Sequence, residues 1–163
     1  MTASNSDPKR DVLRHALATL AYRGGKAVRN PPPGFADFRG CASARPAGHI
    51  LAHLGDLLDW ALSIARGKQT WKSSEPLPWE RETARFFAAL KSFDDYLASS
   101  EPLHAPAERL LQGPVADALT HVGQIVMLRR MAGGPIRSES YFAADIAAGR
   151  VGPEQTAPRS EFD

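Results

Sequence analysis

Asp117 and His121 stand four residues apart in the stretch GPVADALTHVGQIVMLRRMAGG, residues 113–134. That spacing places both side chains on one face of a helix. The apolar residues around them, Val115, Ala118, Leu119, Val122, Ile125, Val126 and Met127, make that helix largely buried. A carboxylate and an imidazole one turn apart are costly to desolvate there unless something pairs with them. A divalent metal ion is the candidate partner. A second stretch, PAGHILAHLGDLLDWALSIA (46–65), carries His49, His53, Asp56 and Trp60 at intervals of 4, 3 and 4. Taken alone, His49 and His53 read as a solvated face. Set beside Asp117 and His121, His53 becomes the third point of a site built from inward side chains on facing helices. Three protein ligands leave a position open for water or substrate, as in catalytic rather than structural zinc sites. His49, one turn earlier, is placed to assist or to substitute, and Asp56 is the carboxylate offered as general base.

The elements that must position these groups follow from the chain's punctuation. Gly113-Pro114 reads as a helix start and Gly133-Gly134-Pro135 as its stop, with Arg129 and Arg130 in the last turns, where cations suit the helix dipole. Asp7 and Pro8, after Ser6, open a first helix whose stripe of Val12, Leu13, Ala16, Leu17, Leu20 and Ala21 ends near Gly24-Gly25. His15 lies beside that stripe in a structural or solvent-facing role. Residues 26–46 form a connector, because Pro31-Pro32-Pro33-Gly34 forbids helix. Phe35 and Phe38 are expected to pin it to the core, where it covers the site. Cys41, with no basic neighbour at helical spacing, reads as an ordinary small residue.

A third helix is expected from Pro78-Trp79 to about Ser99, packing through Thr83, Phe86, Phe87, Leu90, Phe93 and Leu97, with Asp94-Asp95 as a solvated pair. Residues 101–112 carry a short helical turn with His104 exposed. Glu139 to Ala148 forms a short helix through Tyr141, Phe142 and Ile146, and residues 151–163 are an extended tail. Four long helical patterns without a convincing strand make the chain all-α. It is an up-down-type four-helix bundle with long connectors, one domain over 1–163, with the bundle at about 8–136 and a C-terminal extension at about 137–163.

Length and composition agree: 163 residues with 43% apolar content supply one core. The formal net charge is +2 with mixed signs, so there is no nucleic-acid stripe and no polybasic membrane arm. A single cysteine rules out an intrachain disulfide and a Cys-rich zinc site. With no bilayer-length apolar run and a polar leader lacking a signal-peptide core, a cytoplasmic protein is expected.

The segments HILAHLGDLLDWAL (49–62) and DALTHVGQIVMLRRMAGGPI (117–136) resemble the DinB-like, damage-inducible (YfiT-like) superfamily of metal-binding four-helix bundles. The His-x-Gly-Gln followed by Leu-Arg-Arg is the most specific part, and the likeness covers roughly residues 8–136. It implies that His53, Asp117 and His121 bind a divalent ion, zinc or nickel. Aspartate departs from the family's usual histidine or glutamate. At that length Asp117 serves either as a ligand, directly or through water, or as the acceptor that orients a histidine. The resemblance further implies thiol-dependent S-transferases and isomerases that use a low-molecular-weight thiol such as bacillithiol, mycothiol or glutathione, with Arg129 and Arg130 steering the anionic thiol or complementing the dipole.

Two functions are therefore expected of this chain. The first is a metal-dependent thiol S-transferase or hydrolase acting on a small electrophile. The second is a non-catalytic bundle protein, a stress-related binding or dimeric structural module, whose His/Asp cluster fixes helix register. The partners expected are a small-molecule substrate and a second copy of the chain in a homodimer.

Overall fold

The computed structural model describes residues 7–162, more than half of them helical. The elements are α1 (Pro8–Val28), a 3-10 turn (Phe35–Asp37), α2 (Ala47–Ala65), α3 (Trp79–Ala98), α4 (Ala107–Leu110), a π-turn (Leu111–Val115) and α5 (Ala116–Met131), followed by β1 (Ser138–Glu139) and β2 (Glu161–Phe162). The polar leader up to Ser6 lies outside the described residues. Among the described residues, no helix is long and apolar enough to cross a membrane.

The four long helices pack as a ring, α1 against α3 and α5, and α2 against α3 and α5. Leu17 and Leu20 from α1, Leu51, Leu54 and Leu58 from α2, Phe86, Leu90 and Phe93 from α3 and Ile125 from α5 meet inside it, all fully buried. The connector between α1 and α2 is pinned as expected. Phe35 is buried, packs on Phe38, and meets Trp79 edge to face at 5.2 Å. The Trp79 indole then donates to the Val28 carbonyl at 2.9 Å, tying the start of α3 to the end of α1.

α1 begins where the sequence places it: the Asp7 carboxylate accepts from the Lys9 amide at 3.0 Å, and Pro8 occupies the first helical position. It does not stop at Gly24-Gly25. Both glycines are buried within the helix, and a Cβ on Gly24 would sit 2.7 Å from the Phe86 ring. Gly24 is there for close helix approach, and tertiary packing outweighs the poor helix propensity of the pair. The real stop is the cap at Arg29, then Asn30 at φ 48° and the proline run.

Three more expectations change. Pro114 does not start a helix: α4, the π-turn and α5 run on as one helical path from Ala107, with Pro114 inside the π-turn. The wider hydrogen-bond spacing of a π-turn accommodates a residue that has no amide proton. Asp94 is buried, and the Arg14 guanidinium grips it through two hydrogen bonds of 2.9 and 3.1 Å, whereas Asp95 stays exposed and pairs with Lys91.

Residues 138–162 form no helix. Ser138–Glu139 pairs antiparallel with Glu161–Phe162, and residues 151–162 run extended but docked, with Val151 buried. One ammonium explains the docking. Lys26 on α1 takes Glu139 at 2.9 Å and Glu161 at 2.6 Å, while the Tyr22 hydroxyl donates to Glu139 at 2.6 Å. Burial works against the Lys26 charge, yet the bonds from Glu161 and Glu139 outweigh it and raise its pKa. A short isolated helix is marginal, so this anchoring wins. Tyr141 packs edge to face on Tyr22 and Ile146 against the core, but Phe142 is fully exposed.

Candidate metal centre

The packing of α2 on α5 brings His53 to Asp117 and His121, and one donor atom from each lies within 4.8 Å of the others. The His53 Nε2 to Asp117 Oδ2 distance is 3.9 Å, His121 Nδ1 to Asp117 Oδ1 is 3.2 Å, and the two imidazole centroids are 4.6 Å apart. The burial differs from the expectation. α5 buries Ala118, Val122, Ile125, Leu128 and Arg129, while the Asp117 side chain is 47% exposed and Met127 55%. α5 is therefore two-faced, and Asp117, His121 and Gln124 form a stripe along a cleft rather than in the core. Desolvation of a buried pair does not bring these groups together; helix register and the α2–α5 contact do.

The electrostatics suit metal ligation. His121 Nδ1 lies 2.8 Å from the Asp117 carbonyl oxygen, which can only accept, so Nδ1 carries a proton and the neutral ring has its lone pair on Nε2. A backbone carbonyl that fixes a tautomer in this way is a common companion of a metal-binding histidine. Burial lowers the His53 pKa, with His121 and Arg45 adding to the shift and Asp117 and Asp56 opposing it, so His53 is held neutral. Two imidazoles and a carboxylate form a donor set that zinc or nickel accepts. Bonds of about 2.1 Å set tetrahedral ligand atoms roughly 3.4 Å apart. Donors spread over as much as 4.8 Å thus need a modest side-chain rotation, and the exposed Asp117 has the freedom for it. The residues fit the ion.

No protein-family model, curated protein or solved structure matches this chain. The site's chemistry therefore rests on its own geometry.

The cleft beside the three donors is about 630 Å³ and open to solvent. Its walls include Arg45 from the connector, Ile50 from α2, and Gln124, Met127 and Leu128 from α5. The connector does border the site, through Ala44 and Arg45. Trp71, in the link before α3, packs edge to face on both His53 and Trp60 at 5.6 Å. Neither Arg45 nor Trp71 stands out in the sequence. For Gln124 the signal was available, since it continues the 117–121 stripe by one turn.

Other sequence candidates go elsewhere. His49 is exposed and outside the donor group. Asp56 is buried, with one oxygen held by Arg85 and the other accepting from the Ser74 amide at 2.9 Å, so it is committed to an ion pair rather than free as a base. His15 and His104 are exposed. Cys41 is exposed and contacts Ser43, whose hydrogen bond lowers the thiol pKa, but it does not line the cleft. Arg129 does not steer a ligand: it is buried and donates to the carbonyls of Ala27, Arg29, Asn30 and Gly134. Arg130 points to another cavity.

Proposed function

We propose that this chain is a DinB-like four-helix-bundle metalloprotein that transfers a low-molecular-weight thiol to a small electrophile, with hydrolysis of such an electrophile as the related activity. The observation that carries the reading is the convergence of His53, Asp117 and His121 on the wall of an open cleft large enough for a small molecule. A divalent ion held there, zinc or nickel, would supply Lewis acidity and lower the pKa of a coordinated thiol or water. The chain's own residues do the rest. The His121 tautomer and the neutral His53 keep nitrogen lone pairs available. Ile50, Met127 and Leu128 offer an apolar wall for the body of an electrophile, and Arg45 offers a cation for an anionic group. In the transfer the thiol gives up its proton to solvent, a carbon–sulfur bond forms, and the leaving group departs with the electron pair of the bond it loses.

A second reading is favoured by the contacts within the cluster. Asp117 already lies near both histidines, so the three groups can act as a polar lock that fixes α2–α5 register in a non-catalytic, stress-related or dimeric module. Metal analysis of untagged protein after loading with zinc or nickel separates the two. Stoichiometric metal, lost in His53→Ala and His121→Ala, is the expected result; wild-type protein that stays metal-free removes the first reading. Affinity is expected to fall below about pH 6, because ligation needs neutral imidazoles. A screen of thiols against electrophiles then tests turnover. A homodimer belongs to either reading, and a monomer in sedimentation at micromolar concentration removes it.

A further inference from the structure

On the opposite side of α5 from His121, a second cavity of about 210 Å³ opens between α1, α5 and β1. Arg23 from α1, Arg130 from α5 and Arg137 beside β1 line it, together with the Ser138 hydroxyl and the apolar Val126 and Ile136. The two nearby carboxylates are already engaged: Glu139 by Lys26 and Tyr22, and Glu161 by Lys26 and, at 3.6 Å, by Arg137. Among the described residues, neither Arg23 nor Arg130 has a carboxylate within ion-pair distance. Arg23 lies 4.4 Å over the Tyr141 ring, and Arg130 donates to Ser138 at 3.3 Å. Among the described residues, two guanidiniums from different helices, Arg23 and Arg130, thus face one cavity without a carboxylate partner.

We propose that this cavity binds a phosphate group, either as inorganic phosphate or as the monoester of a small molecule. Planar guanidinium forks match the tetrahedral oxygens of a phosphate, and its near-double negative charge at neutral pH answers the Arg23 and Arg130 guanidiniums. The ring of Tyr141 holds the Arg23 guanidinium in place without consuming its charge. Val126 and Ile136 leave one wall for a short apolar group attached to the phosphate.

Calorimetric titration tests this with inorganic phosphate and phenyl phosphate, each against potassium chloride at matched ionic strength. Saturable phosphate binding is expected, weakened at least about tenfold in Arg130→Gln and in Arg23→Gln. Arg130 is exposed, so its variant keeps the fold even if the half-buried Arg23 proves sensitive. Tighter binding of phenyl phosphate assigns the cavity to a monoester, and equal or tighter binding of the free ion assigns it to inorganic phosphate. His121→Ala must bind phosphate as the wild type does; loss in that variant would move the phosphate to the metal cleft and overturn the proposal. No saturable binding, or equal binding by wild type and Arg130→Gln, overturns it as well.

Discussion

His53 shows how one side chain reports on its surroundings. Its pKa lies below the ordinary 6.5 because it is half-buried beside His121 and Arg45. Between that lowered value and about 6.5 the unfolded chain binds more protons than the folded one, so stability rises with pH across this window. The contribution is fully present above about pH 6.5 and is lost as the pH falls through the window. For metal-free protein we expect the urea midpoint to be higher at pH 7.5 than at pH 5.5, and His53→Gln to reduce that difference. An unchanged difference in the variant would mean that another group dominates. With metal bound the dependence steepens, since protons then compete with the ion as well.

At the scale of the helices, two glycines in similar helical settings predict opposite outcomes. Gly24 is buried, and a methyl group there would meet the fully buried Phe86 ring at 2.7 Å. Overpacking of this kind costs about 1–3 kcal/mol, against a helix-propensity gain of at most about 1 kcal/mol. Gly24→Ala is therefore expected to destabilise. Gly123 sits in the middle of α5, exposed, with nothing within 4 Å of the added carbon. Gly123→Ala is expected to stabilise by about 0.5–1 kcal/mol. Thermal or urea unfolding of the pair checks both signs. Arg129 belongs to the same scale, since one buried guanidinium joins the last carbonyls of α1 to the loop after α5. Charged hydrogen bonds of this type contribute about 1.5–3 kcal/mol each but do not add fully. We expect Arg129→Ala to cost about 2–4 kcal/mol in urea unfolding, with Arg129→Lys recovering little because an ammonium cannot span the same carbonyls.

Across the whole molecule, Lys26 decides where the C-terminal segment lies. Lys26→Met leaves the buried Glu139 carboxylate with Tyr22 alone, and breaking a buried pair from one side costs about 3–5 kcal/mol. Expected outcomes are lower stability and faster amide exchange from Ser138 to Glu161; unchanged exchange would show that the segment is held by packing instead. The helices themselves were legible in the sequence, because apolar residues in α2 and α3 recur with a turn's period, and because Asp7-Pro8 and Pro78-Trp79 mark starts by local chemistry. The ends were less legible. Gly24-Gly25 and Gly113-Pro114 look like boundaries until Phe86 packs on the first pair and a π-turn absorbs the second. The donor trio was legible as residue types at the right spacing, but its exposure was not, since apolar neighbours in sequence do not say which face of α5 meets the core.

By itself, then, the chain specified its helical periods and the one-turn relation of Asp117 to His121, because both depend only on rotation about a single helix axis. Tertiary structure decided that His53 joins them, that Arg129 turns inward, and that Lys26 reaches Glu161 across 135 residues. Those contacts depend on which helix faces lie against each other, and a pairing between distant segments leaves no trace in local spacing.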